Sequence, residues 1–393
     1  MHRFRLPSLA LGLGLAACAK GPAGPQAVRS DSAGVEIVVN SGADRAFPDT
    51  VTVADTLYDP AADSALQGEA RMLSLGSDAS GRLVVADGGF NDRRILRAGS
   101  DGEFRQVGRR GGGPGEYQML STVAVSPDGE ILAGDYGKRA YLRFGPGDSI
   151  LPPIPWSAFG TGFAESGGYA GGGVVAMVQE MSESSSVHRI KLLTAADTVL
   201  LAAFSEGVPK QLMYESCRVG FMGAPLFTPR PSWSGNRESV ALATSGAYEI
   251  RIWRGGKLVR IIRRAVPTRA ATRALAVQDV GEGFRIIVGN RGPCTVPPED
   301  IVNQQGFAGT IPAIKQIVMA ADGTLWVERW TIKGEPLLRD IFDPAGNYLG
   351  TLTGDVPWPK AWLPDGRYVS VGADADSLPV VVRYAVGGGI RRE

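Results

Sequence analysis

A glycine that recurs at intervals of 43–48 residues within two pairs of units, each time opening an apolar strand, constrains this chain more than any other feature. "SDASGRLVVADGG" (77–89) and "VSPDGEILAGDYG" (125–137) align without a gap, with Gly81 and Gly129 48 residues apart. "AADGTLWVERW" (320–330) and "LPDGRYVSVGA" (363–373) repeat the form, with Gly323 and Gly366 43 apart. Ser126-Pro127-Asp128-Gly129 has the residue order of a type I turn. The residues after each turn are the branched and aromatic types that suit a pleated surface. Each unit continues with a second strand ("RRILRAG" 93–99, "RAYLRFG" 139–145, "LLRDIFD" 337–343, "VVVRYAV" 380–386) and then a turn and a third. A period of 43–48 residues holding about four strands predicts an all-β propeller built from four-stranded antiparallel blades.

Two weaker units, 171–204 and 230–262, fill the middle and bring the count to six. Segments 207–228 and 267–311 do not fit the repeat and read as insertions between blades. A seventh blade hidden in 267–311 is the alternative, although "TRAATRALAVQ" (268–278) has a helical look. The last unit supplies only three strands. The lone strand "GVEIVVN" (34–40) is therefore expected to pair with 380–386, closing the ring and leaving no open edge. The propeller is assigned to residues 34–393.

The N-terminus reads as an address. Arg3 and Arg5 precede the apolar stretch Leu6 to Ala17, which is too short to span a bilayer. Leu15-Ala16-Ala17-Cys18 resembles the lipobox of bacterial lipoproteins. That resemblance implies a signal peptide over 1–17, lipidation at Cys18 and a cell-envelope location. Ala19 after the cysteine favours the outer membrane. Residues 18–33, small and rich in Pro and Gly, suit a flexible tether. With 41 basic and 40 acidic residues and no long like-charge run, nothing points to nucleic acid.

The run "VGRRGGGPGEYQ" (107–118) admits two readings. One is a blade-to-blade crossover in which glycines permit positive φ. The other is an anion-binding nest of N–H groups beside Arg109 and Arg110. A P-loop is excluded, because Gly-Lys-Ser/Thr opening a helix is absent. Together with "VVADGGFNDRRIL" (84–96), this run resembles the six-bladed β-propeller lipoproteins of environmental bacteria, relatives of the NHL-repeat propellers. The resemblance implies an architecture and little about function.

Catalytic chemistry is sparse. Once the leader is removed, His188 is the only histidine, which excludes a multi-histidine metal site and argues against a Ser-His-Asp triad. Asp87 and Asp135 each lie six residues after their turn glycine; they could hold calcium, and the favoured reading is structural residues capping adjacent loops. The corresponding later positions are Arg329 and Gly372, so the acidic ring is incomplete. Asp374 and Asp376 lack the rest of a calcium loop. Tyr117, Tyr136, Tyr214 and Trp330 are candidates for exposed aromatics on the top face. Cys217 and Cys294, one in each insertion, are the only mature cysteines besides the lipidated one and are expected to bridge.

These readings define an expected site. Arg109, Arg110, Arg139 and Arg218 should rim the channel mouth with Tyr136 and Tyr214, and bind a small anionic ligand or a protein loop. The favoured reading is a lipid-anchored, non-enzymatic binding propeller without cofactor. The alternative is a calcium-dependent propeller hydrolase or lactonase.

Overall fold

A computed structural model describes residues 27–58, 74–87, 93–100, 102–160, 162–181, 186–206, 210–243, 246–288, 292–374 and 379–387. The expected leader (1–17), Cys18 and Asp376 lie outside the described residues. Six blades follow one another. Blade 1 is Ser74–Ser77, Leu83–Asp87, Arg94–Ala98 and Phe104–Val107. Blade 2 is Leu120–Val125, Ile131–Asp135, Ala140–Phe144 and Ile150–Pro155. Blade 3 runs from Phe163–Ala170 to Thr198–Glu206, blade 4 from Ser232–Gly235 to Lys257–Arg264, and blade 5 from Ile314–Met319 to Tyr348–Thr353. Blade 6 takes Ala361–Trp362, Tyr368–Ala373 and Pro379–Val386 from the C-terminal part of the chain and Val51–Tyr58 from the N-terminal part.

The four repeat glycines do one job. Each closes a tight turn between the first and second strands, its N–H bonded to the carbonyl three residues earlier: Gly81 to Asp78, Gly129 to Ser126, Gly323 to Ala320 and Gly366 to Leu363. All four have φ between +81° and +92°, where a Cβ is disfavoured. The strands behind them alternate sides, so each blade presents an apolar row to both neighbours. The core is accordingly six apolar clusters, one per blade interface; Val175, Ile190, Val240 and Leu242, for example, seal blade 3 against blade 4.

The N-terminal segment corrects the expected closure. Val28–Ser32 and Val35–Asn40 form a hairpin, so the end of the supposed tether is strand. Val35–Asn40 does not pair with 380–386. It pairs in parallel with Lys257–Arg264, from Glu36 beside Arg260 to Asn40 beside Arg264, and extends blade 4 to six strands. The chain then crosses the edge of blade 5, where the Phe47 N–H donates to the Thr351 carbonyl and the Thr351 N–H to the Arg45 carbonyl. Gly350 lies beneath this crossing, where an added Cβ would sit 2.6 Å from the Phe47 Cα. Val51–Tyr58 is the strand that closes blade 6, antiparallel to Pro379–Val386. Residues 28–58 thus belt the outer edges of blades 4, 5 and 6.

Segment 267–311 is an insertion and not a seventh blade. It holds two helices, α1 (Arg273–Val280) and α2 (Pro298–Gln305), the hairpin Phe284–Ile287/Pro293–Val296, and a two-stranded stem, Arg269–Ala270 with Thr310–Ile311. The earlier insertion contributes the hairpin Lys210–Tyr214/Val219–Gly223.

Candidate functional site

Both insertions leave from last-strand-to-first-strand crossovers, on either side of blade 4. The same face carries the ends of the second strands. There the insertions merge into a cap with its own core, built around Leu212, Tyr214, Val296 and Ile301, with a second cluster around Phe227, Ala276, Val302 and Ile332. Cys217 and Cys294 are bridged, with Cα atoms 5.9 Å apart, inside the range a disulfide needs. The bridge joins the turn of the first cap hairpin to a strand of the second.

Beneath the stem of the cap lies a cavity of about 680 Å³, between blades 4 and 5. That volume is in the range of small-molecule sites. Its walls are mostly apolar, with Tyr248, Val266, Ile311, Trp330 and Leu338 prominent. Trp330 packs edge-on against Phe227 of the cap, ring centroids 6.0 Å apart. Arg269 of the stem makes a two-pronged bond to Glu335 of blade 5, at 2.7 and 2.9 Å, and this pair forms one polar wall. Arg263 stands at the rim, bonded to Glu249 at 2.9 Å.

The floor is an ionic network. Arg264 and Arg329 both bond Asp340, which is fully buried, at 2.8 Å. The Tyr248 and Thr351 hydroxyls add donors to Asp340 at 2.7 and 2.6 Å. Asp44 of the belt completes the arrangement: Arg329 grips both its oxygens at 2.8 and 2.7 Å, and Arg264 adds a third bond at 2.5 Å. The Arg329 bonds, with those of Arg264, hold the Asp44 carboxyl down at about 2 against the opposing effect of burial. Burial works against charge on Arg329, but its bonds to Asp340 and Asp44 outweigh it and raise its pKa. Burial first, then the Asp340 charge, raises the Tyr248 phenol well above its ordinary value.

The glycine-rich run is a crossover that supplies its own anion. Arg109–Arg110 pairs in parallel with Glu116–Tyr117, and the Glu116 carboxylate accepts the Gly113 N–H and the Arg109 Nε, both at 2.7 Å. The Gly113 bond, then Arg109, lowers the Glu116 pKa. A Cβ on Gly111 would collide with that carboxylate. The nest is therefore filled from within, and Tyr117 is buried in the core between blades 1 and 2.

The other expected residues fall into two groups. Arg109, Arg110, Tyr136 and Arg139 sit on adjoining loops of blades 1 and 2, connected through the Lys138 Nζ bond to the Gly113 carbonyl. Arg110 and Arg139 are exposed, and Tyr136 is partly exposed with its ring edge-on to Trp156. Arg218 is exposed on the turn of the first cap hairpin. Tyr214 is a correction: it is 1% exposed, packed against Phe284 and bonded to Gln305, because the second insertion folds over it. None of the six lines the cavity.

Asp87 and Asp135 are both fully buried staples. Asp87 accepts from Arg94 at 3.0 Å and from the Tyr58 hydroxyl, which ties blade 1 to the belt strand of blade 6. Asp135 accepts four backbone N–H groups, of Gln118, Met119, Gly137 and Lys138, at 2.7–3.2 Å. Those bonds use the lone pairs a cation would need. His188 is buried on the third strand of blade 3, stacked on Phe204. The cavity residues leave one trace in the sequence, "RRAVPTRA" (263–270), where arginines flank an apolar crossover.

Fold and site together define a six-bladed β-propeller with a disulfide-latched cap on its top face. No known family profile matches the chain, and no curated protein matches it in sequence. Among solved structures it is similar to a protein of Bacteroides fragilis assigned as exported, at 11% identity over 89% of this chain and 99% of that one, with a TM-score of 0.46. It is also similar to a calcium-binding protein, regucalcin, of Agrobacterium tumefaciens (13% identity, 88% and 95% coverage, TM-score 0.41). A third is the PQQ-bound aldose sugar dehydrogenase of Streptomyces coelicolor (13%, 88% and 100%, TM-score 0.40). At such identities none lends this chain an activity.

Proposed function

We propose that this chain is a lipid-anchored, extracytoplasmic binding propeller that takes an amphiphilic carboxylate into the cleft between blades 4 and 5. The observation that carries the reading is the cleft itself: about 680 Å³ of mostly apolar wall, with Trp330 on one side and the Arg269–Glu335 and Arg263–Glu249 pairs at its polar margin. An apolar body would pack on Trp330, and a carboxylate would compete with Glu335 for the fork of Arg269. A calcium-dependent hydrolase is less favoured, because Asp87 and Asp135 are committed to Tyr58, Arg94 and backbone N–H groups.

Calorimetric titration with decanoate and indole-3-acetate tests the cleft. We expect saturable binding of at least one probe, weakened roughly tenfold in Arg269→Met and in Trp330→Ala. Failure of both probes to saturate, or equal binding by the variants, overturns the assignment. The anchor has its own test. Cys18→Ser should move the protein from the membrane to the soluble fraction; retention in salt-washed membranes would refute lipidation there.

A further inference from the structure

We propose that the outer edge of blade 4 is the surface that faces the bilayer, and that it rests on anionic phospholipid headgroups. This builds on the anchoring at Cys18 proposed above. The chain leads straight to that edge: its first described strand, Val28–Ser32, is the outermost strand of the extended blade-4 sheet. Ten positions separate Cys18 from Val28. They can span at most about 35 Å. A tether this short holds the blade it enters closest to the membrane.

The edge has the charge for such a surface. The four outer strands, Val28–Ser32, Val35–Asn40, Glu249–Arg254 and Lys257–Arg264, carry Arg29, Arg251, Arg254, Lys257, Arg260 and Arg263 at exposed or half-exposed positions. The acids on the same strands are Asp31, Glu36 and Glu249. Glu36 is shared between Arg29 and Arg260, and Glu249 between Arg251 and Arg263. Each of these carboxylates therefore serves two guanidiniums, and positive charge is left over. Arg254 and Lys257 flank the Gly255-Gly256 turn and are exposed. The whole chain is near neutral, with 41 basic and 40 acidic residues, so the excess is local. An anionic leaflet attracts such a patch within a Debye length, about 8 Å at physiological salt.

The test uses the mature chain from Cys18. Once Cys217 and Cys294 are bridged, Cys18 is its only free thiol and couples to a maleimide lipid. Vesicles contain a photoactivatable phosphatidylglycerol, and crosslinked peptides are mapped. We expect crosslinks on 28–40 and 249–264 roughly tenfold above those on the cap hairpin 210–223, falling at high salt. They should also fall in Arg254→Gln/Lys257→Glu, whose melting temperature is checked against the parent. Crosslinks spread evenly, concentrated on the cap, or unaffected by salt and by the substitutions overturn the proposal. The lipid is attached chemically here, so this outcome is separate from the fate of Cys18→Ser in cells.

Discussion

Replacing Asp340 with alanine is expected to lower stability by about 3–5 kcal/mol, as removal of one member of a buried ionic group does. Asp340 is fully buried and accepts from Arg264, Arg329, Tyr248 and Thr351. Without it, two guanidiniums that are nearly inaccessible to water keep, among the described residues, only Asp44 as a counter-charge. Asp44 is half exposed, so water shares the work it does. Asp44→Asn should therefore cost clearly less than Asp340→Ala. Urea denaturation of the parent and the two variants checks the order; a loss in Asp44→Asn as large as in Asp340→Ala would show that Asp340 does not centre the network. The same geometry has a pH consequence. The Asp44 pKa falls from 3.8 to about 2 on folding, so its stabilising effect is fully present above about pH 4 and is lost as pH falls toward 2.

The second large effect concerns the belt. A chain beginning at residue 41 loses the edge hairpin and the Asn40 bonds to the Gly346 carbonyl and the Tyr348 N–H. It should still close its ring, because Val51–Tyr58 is intact. A chain beginning at residue 59 lacks that strand. It also loses Asp44 from the blade 4–5 network and Tyr58 from Asp87, leaving blade 6 with an open edge. Open edges template association. We expect the first truncation to be soluble with a lowered urea midpoint, and the second to aggregate. A soluble 59–393 chain as stable as one starting at residue 27 would show that the ring does not depend on the N-terminal strand.

Part of the site is legible in the amino-acid sequence. With Cys18 assigned to the proposed lipid anchor, Cys217 and Cys294 are the two cysteines left to bridge, and elimination then suffices to pair them. Their insertions share a face because every last-strand-to-first-strand crossover in a propeller does. Asp87 and Asp135 are visible as residues at the ends of second strands, but their partners are not. Tyr58 lies 29 residues from Asp87 and reaches it only because the N-terminal strand becomes part of blade 6. Tyr214 reads as a surface aromatic, since the second insertion that buries it begins some fifty residues later. The cleft leaves almost no sequence signal because its walls come from two blades and the stem of the cap.

The blades can be read from the amino-acid sequence. A turn glycine at positive φ, followed by an apolar strand and repeated in four units, is local information, and with the two weaker units it makes six, which leave a ring as the way to bury both faces of every sheet. The sequence also shows that the ring must be closed by something N-terminal, since the last unit is one strand short. Which strand does so was decided by tertiary structure. Backbone edges are alike in hydrogen-bonding capacity, so 34–40 and 51–58 could each have paired with any outer strand. Side chains far apart in sequence broke the tie: Asn40 bonds Gly346 and Tyr348, Asp44 bonds Arg264 and Arg329, and Phe47 packs with Trp326 and Tyr368 in the core between blades 5 and 6. These contacts span some 220 to 320 residues of chain and exist only once the ring has formed.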